Sequence, residues 1–207
     1  MGEAELLQDP YNVIITGVGG QGNVLASRVL GNMLVRKGYQ VVIGETFGAT
    51  QRGGSVMSHL RISSTSSFSP QIPKGKAHII VALEPTEAIR VLKDYGNPEV
   101  SALCNTRPIH PVGVISGELE YPSPEEIKNS VTQLTNQAWF INVTDEALKL
   151  GNPVFGNIMM IGALAGINVL PLDREVFEAV ISESMPEEKV EVNLSAYDKG
   201  TDMVQHE

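Results

Sequence analysis

One cysteine, Cys104, is all the thiol this chain has. A single thiol makes no internal disulfide, no zinc site of the Cys-rich type and no four-thiolate iron–sulfur cluster. Any such centre serving this protein is expected on another chain, and an unpaired thiol fits a reducing compartment. Basic residues are also scarce: 15 Lys and Arg against 24 Asp and Glu give a net charge of −9. That balance argues against nucleic acid, because a phosphate backbone is met by a cationic surface. It is compatible with a basic protein partner, although an acidic surface is usually a solvated one. No apolar run approaches the ~20 residues that span a bilayer. The opening residues 1–9 are acidic and lack an apolar centre, so a signal peptide is not expected. Met1-Gly2 is followed by Leu6 where N-myristoylation calls for Ser or Thr. These exclusions predict a cytoplasmic protein. There are no internal repeats, and the compositional bias is limited to a serine patch at 63–67.

What is present is an α/β pattern. The 207 residues, 42% apolar and 19% charged, suit one soluble globular domain over 1–207 with a sizeable core. Its organising stretch is Gly17-Val-Gly-Gly-Gln-Gly22, preceded by the apolar run 13–15 and followed by helical periodicity over 24–37. Strand, glycine turn and helix in that order form a nucleotide-binding βα unit. Gly17 is expected to permit the tight turn, Gly19 to let a phosphate approach the backbone, and Gly22 to let helix pack on strand. The helix N-terminus would present unpartnered amides to an anion. Gly38 ends the helix, and residues 40–44 read as a second strand joined by a right-handed crossover. Glu45 follows, at a spacing where an acid binds a ribose hydroxyl in NAD enzymes, or where it simply opens a loop.

The loop 44–54 holds four glycines but also Phe47, Gln51, Arg52 and Gly53. Its arginine offers a rigid fork of donors for carboxylate or phosphate, so it reads as functional rather than as a flexible connector. Residues 55–62 alternate as a strand, 63–67 form a polar tip, and 68–72 are expected to return as a hairpin partner. His59 lies on that strand, either as a polar filler or as a working group. Residues 77–83 predict a buried central strand, and Glu84-Pro85 opens the next helix. Residues 100–104 predict another strand. The segment 105–111 that follows it is placed to share a crevice with the glycine turn, with Arg107 and His110 as candidates. Pro108 and Pro111 equally fit a rigid linker. Ser123-Pro-Glu-Glu126 is a capping box opening a helix. A strand at 139–143, a short helix at 145–150, a wholly apolar buried helix at 155–167 and a helix capped by Asp173 complete the pattern. Residues 190–194 and the last few residues read as an acidic tail. The expected architecture is a three-layer, Rossmann-like open sheet with helices on both faces and an added β-hairpin.

Glycine turn and loop together, Gly17-Val-Gly-Gly-Gln-Gly22 with Gly44-Glu-Thr-Phe-Gly-Ala-Thr-Gln-Arg-Gly-Gly-Ser-Val-Met-Ser-His59, resemble the gamma-type subunit of the 2-oxoacid:ferredoxin oxidoreductases. Asn105-Thr-Arg-Pro-Ile109, Tyr121-Pro-Ser-Pro-Glu-Glu126, Asn157-Ile-Met-Met-Ile-Gly-Ala-Leu164 and Glu191-Val-Asn-Leu-Ser-Ala-Tyr197 extend the likeness over nearly the whole chain. The last of these, with Arg107-Pro-Ile and Pro111, is most similar to the members that act on indolepyruvate. The resemblance implies oxidative decarboxylation of an aryl 2-oxoacid to an acyl-CoA, with electrons passed to ferredoxin. It implies thiamine diphosphate, magnesium and 4Fe-4S clusters on a large alpha partner subunit, none held by this chain alone, and CoA as co-substrate. Within that scheme Gly17, Gly19, Gly20, Gln21, Gly22, Glu45, Gln51, Arg52 and Gly53 are the residues expected to seat CoA or to close over the thiamine site. Two other classes remain: an NAD-dependent dehydrogenase using Gly17, Gly19, Gly22 and Glu45, and a non-catalytic docking subunit. A homodimer is possible in isolation.

Overall fold

The computed structural model describes residues 6–48 and 54–205. Its centre is a strand that is mostly apolar, with Asn12 and Thr16 as its buried polar residues. β1 (Tyr11–Val18) is buried along its whole length and alternates its side chains between two cores. Val13 and Ile15 face one, Ile14 the other. A strand of this kind must be covered on both faces, and each fully buried Val or Ile contributes about 1.5–3 kcal/mol.

After β1 come α1 (Asn23–Arg36), β2 (Gln40–Phe47), β3 (Ser55–Ser63), β4 (Ile79–Ala82), α2 (Pro85–Tyr95) and β5 (Ser101–Asn105). Then follow α3 (Val112–Ile115), α4 (Pro124–Leu134), β6 (Gln137–Ile141), α5 (Val143–Lys149), α6 (Gly156–Ile167), α7 (Arg174–Ser184) and α8 (Glu187–Gln205). The six strands run in the order β2-β3-β1-β4-β5-β6. β1, β4, β5 and β6 are parallel, and β3 is antiparallel to both its neighbours. Helices α1, α5 and α6, with α7 and α8 outside them, cover one face, and α2 and α4 cover the other. The expected three-layer open sheet is therefore present.

Four local expectations are corrected. β1 and β2 are not neighbours, because β3 lies between them, so the crossover through α1 skips one position. The hairpin is β2–β3, not residues 55–62 with 68–72. The segment 68–72 is irregular, and it buries Ile72 against the sheet. β2 runs on to Phe47 and β3 begins at Ser55, so Glu45 is a strand residue and not part of a loop. The acidic tail is the 19-residue helix α8, which packs along α6.

Where the sequence carried capping chemistry, the ends of the helices follow it. Ser123 and Glu126 form a reciprocal capping box, and Asp173 accepts from the Val176 amide. Asn142 accepts from the Asp145 amide in the same way. α6 is apolar all round because it lies inside the domain, between α5 and α8. Among the described residues, no helix is long and apolar enough to cross a membrane.

Candidate functional site

The chain leaves β1 toward α1 on one face and leaves β4 toward α2 on the other. That makes the carboxyl ends of β1 and β4 a topological switch point, where open α/β sheets form their ligand crevice. The glycine turn stands there. Gly17 is still within β1, paired to Val56, and its missing Cβ leaves room for the Gln21 and Asn23 side chains. Gln21 locks the turn at both ends: its Oε1 accepts from Val18 N–H at 2.8 Å and its Nε2 donates to Leu83 O at 2.7 Å. Gly20 and Gly22 have φ of 103° and 84°, a region in which side chains are strained. Gly22 also has no room for a Cβ, which would collide with Asn157 of α6. Gly22 thus lets the turn pack on α6, not the helix on its strand as expected.

α1 begins with no side-chain cap and no acid in its first turn. An uncapped start of this kind leaves the first-turn amides and the helix dipole without a side-chain anion of their own among the described residues. The Gly19 amide is not among the free donors, because it donates to Gly54 O at 2.8 Å. That bond ties the end of the β2–β3 loop to the glycine turn, and Gly48 N–H closes the loop base on Ser55 O. The two unusual stretches of the sequence therefore meet. Gln51, Arg52 and Gly53 themselves lie outside the described residues.

A crevice of about 190 Å³ opens beside the turn. Gly20, Gln21, Asn105, Ile109, Thr144 and Asn157 are among its walls, so the glycine turn and the segment after β5 do share it. The volume is below the ~300–1,000 Å³ of a site that encloses a drug-sized ligand. The described residues by themselves do not enclose a ligand of that size. Larger grooves lie elsewhere, about 570 Å³ beside α6 and α8 and about 670 Å³ between α2 and α4. Among the described residues, the one cation lining the first groove, Arg174, is paired with Asp198 of the same groove and with Glu178.

Two carboxylates on α2 organise the surroundings, and the sequence reading missed both as site-builders. Glu84, 1% exposed, caps α2 by accepting from Glu87 N–H at 3.0 Å and also accepts from Thr86 Oγ1 at 2.7 Å. Its other oxygen accepts from Tyr121 Oη and, at 3.4 Å, from Ile109 N–H. Burial, and then the Glu84 carboxylate, push the Tyr121 phenol well above its ordinary pKa. Glu87 accepts from Ser55 Oγ at 2.6 Å and Thr16 Oγ1 at 3.4 Å and pairs with Arg90, so it fixes the point where the loop rejoins the sheet. The available signal was position: both acids follow a buried strand at its carboxyl end.

The other candidates are placed as follows. Glu45 sits on edge strand β2 opposite Ser58, which in turn is opposite Ile15 of β1. It is two strand spacings, about 10 Å, from β1. It is therefore not at the tip of a strand next to the glycine turn, where a ribose acid is required. Arg107 pairs with Asp145 at 3.2 Å on the surface, and His110 packs against Tyr121. His59 is buried, accepts from Ile72 N–H at 3.3 Å and meets the Tyr95 ring edge-on. It is a core histidine away from the crevice. Burial lowers the pKa of both His59 and His78. A group depressed in the fold stabilises it above the unfolded pKa near 6.5, and that stability is lost as pH falls. Urea stability is thus expected to decline from pH 7.5 to 5.5, with a shallower slope in His59→Gln. Equal slopes in the two proteins would rule out His59 as a contributor.

Cys104 is buried, and burial pushes its thiol up to about 12, which makes it inert. Among the described residues no group of three or more His, Cys, Asp or Glu side chains is arranged to hold a metal ion. Glu84 and Glu87 are committed to local hydrogen bonds. Among the described residues, no set of carboxylates is free to hold the magnesium ion of a diphosphate.

Residues 12–203 match the family model of the pyruvate ferredoxin/flavodoxin oxidoreductases. The chain belongs to that family. Among family members it is 39% identical over 191 residues to indolepyruvate oxidoreductase subunit IorB of Pyrococcus horikoshii, covering 92% of this chain and 94% of that protein. It is 36% identical to the same subunit of Archaeoglobus fulgidus, over 91% and 92% of the two chains. It is 28% identical to 2-oxoglutarate synthase subunit KorC of Methanocaldococcus jannaschii, over 90% of this chain and 89% of that one. In fold it is similar to pyruvate oxidoreductase subunit PORC of Thermotoga maritima, with a TM-score of 0.71, 19% identity and 95% and 97% of the chains covered. A 2-oxoglutarate:ferredoxin oxidoreductase from Magnetococcus marinus, solved with 2-oxoglutarate, coenzyme A and succinyl-CoA bound, gives a TM-score of 0.73 at 20% identity. That match takes in 97% of this chain but 32% of the Magnetococcus chain.

Proposed function

We propose that this protein is the small subunit of an indolepyruvate oxidoreductase, a cytoplasmic, single-domain chain that works only with a large catalytic partner. The observation that carries the reading is its 33–39% identity to relatives named as IorB, against 28% to those named KorC. The reaction decarboxylates an aryl 2-oxoacid, passes the electrons to ferredoxin and transfers the acyl group to CoA. Thiamine diphosphate and magnesium supply the carbanion chemistry, and 4Fe-4S clusters carry the electrons. Among the described residues this chain's side chains do not suit those groups, so the partner is assigned to hold them.

This chain's own part is to build a wall of the CoA site. The uncapped N-terminus of α1 at Gly22 suits a phosphate, and Gly19, Gly20 and Gln21 set its approach. Gln51, Arg52 and Gly53 come directly before Gly54, whose carbonyl is tied to that turn. Arg52 is assigned as the charged contact of the CoA phosphates. Glu45 is assigned to the edge of this wall and not to a ribose, since β3 separates its strand from β1. The dehydrogenase reading loses its acid by the same observation.

The test is the purified complex, assayed with indolepyruvate, 2-oxoglutarate, pyruvate and a branched-chain 2-oxoacid, with CoA and a one-electron acceptor. Indolepyruvate is expected to lead in kcat/KM by at least about tenfold. Preference for another acid overturns the substrate, and full activity of the large subunit alone leaves this chain a docking role. In Arg52→Ala the KM for CoA should rise about 10–100-fold, the loss of one charge-assisted contact. An intact complex with unchanged CoA affinity removes Arg52 from the site.

A further inference from the structure

Between β5 and α4 the chain makes an excursion, residues 106–121, that carries a cluster of exposed apolar side chains among polar ones. Val112 is 80% exposed, Ile115 74% and Leu119 63%, and Ile109 is exposed beside them. Among the described residues no other segment of this length exposes four large apolar side chains. Scattered exposure is ordinary, but a cluster on one segment marks a contact surface.

The excursion is held firmly. Inside it, Ser116 N–H donates to Val112 O, and both Glu118 and Leu119 N–H donate to Gly113 O. Beneath it, Thr106 N–H donates to Ile141 O, Arg107 pairs with Asp145, and Tyr121 and Ile109 N–H are anchored on buried Glu84. Solvent-facing apolar residues on a braced segment form a preorganised surface, which binds without first being ordered. It is continuous with the crevice, because Ile109 lines both.

The charges around it name the occupant. Residues 106–121 carry Glu118 and Glu120 and a single arginine, Arg107, which is paired with Asp145; Glu125 and Glu126 follow at the start of α4. Two copies of this chain face to face would set these carboxylates against their own kind, on proteins that each carry a net charge of −9. An anionic lipid surface is repelled likewise. A protein surface apolar at its centre and bearing lysine and arginine at its rim is complementary.

We propose that residues 106–121 form the platform on which the large catalytic subunit docks, so that the subunit which completes the complex also roofs the crevice. This rests on the oxidoreductase reading above. The test measures binding of the large subunit to the full-length chain. Val112→Ser/Ile115→Ser should weaken binding at least tenfold with an unchanged melting temperature. Glu118→Lys/Glu120→Lys should also weaken it and remove most of its salt dependence. Val35→Ser, on α1, should bind as the unaltered chain does. If both double variants assemble normally, the platform is overturned. It is also overturned if the isolated chain is a dimer that Val112→Ser/Ile115→Ser converts to monomer, which makes a second copy the occupant. A complex that assembles through this surface but ignores indolepyruvate overturns only the substrate. Failure of the unaltered chain to bind any large subunit overturns both readings.

Discussion

Gly200→Ala is expected to lower the melting temperature by roughly 5–10 °C, although alanine is the better helix former by about 1 kcal/mol. Gly200 lies on α8, where a Cβ would fall within the van der Waals radius of the Met159 carbonyl on α6. Gly162 on α6 stands in the same relation to the Tyr197 carbonyl on α8. The two helices touch backbone to backbone, and Thr201 Oγ1 donates across the contact to Gly162 O at 3.0 Å. The obstruction in either variant is main chain, which has no rotamer to move, so the helices must separate and leave voids along the seam. Overpacking of this kind costs about 1–3 kcal/mol and sometimes more, beyond the propensity gain. In a protein of this size each kcal/mol is about 2–4 °C. Gly162→Ala should behave alike, and the double variant should fall short of the sum, since the first substitution already opens the seam. Ser195→Ala, on the exposed side of α8, should stay within about 0.5 kcal/mol. Thermal unfolding followed by circular dichroism decides it. A melting temperature unchanged or raised in Gly200→Ala disproves the close contact.

The same seam explains why α8 was hidden in the sequence. Its buried residues are Asn193, Leu194, Ala196, Tyr197 and Gly200; where it meets α6 most closely they are small, which breaks the apolar stripe, and acids crowd the exposed side. What was legible was local. β1, the glycine turn and α1 are consecutive, and Ser123 with Glu126 or Asp173 before α7 declare helix starts within four residues. What was not legible depends on distant partners. Nothing near Gln40 indicates that β3 inserts between β2 and β1, and that insertion displaces Glu45. The expectation that the glycine turn shares a crevice with the segment after β5 succeeded because it followed from strand direction alone, without side-chain detail. The role of Glu84 was invisible for the opposite reason: its partners are 25 and 37 residues away.

Those partners make Glu84 the most consequential side chain near the crevice. In Glu84→Ala, Tyr121 Oη, Thr86 Oγ1 and the amides of Glu87 and Ile109 lose their acceptor together. Loss of the cap costs about 0.5–2 kcal/mol. Each buried donor left unpaired adds about 1–3 kcal/mol where water does not reach it. The expected loss is about 3–5 kcal/mol, read as a shift of the urea midpoint. Glu84→Gln keeps one acceptor oxygen but turns a second donor on the others, so it should fall between. Tyr121→Phe removes one donor and should cost less than either. The loss should also be local. Amides of residues 109–119 should exchange with solvent faster in Glu84→Ala, while those of β1 and β4, paired inside the sheet, keep their protection. Uniform acceleration would mean that Glu84 supports the whole fold, and no acceleration would mean that the excursion braces itself. Local release carries a functional consequence, because a loosened platform must be ordered before anything docks on it. Binding of the large subunit should therefore weaken in Glu84→Ala even though Glu84 itself is buried beneath the contact surface and touches nothing outside the chain.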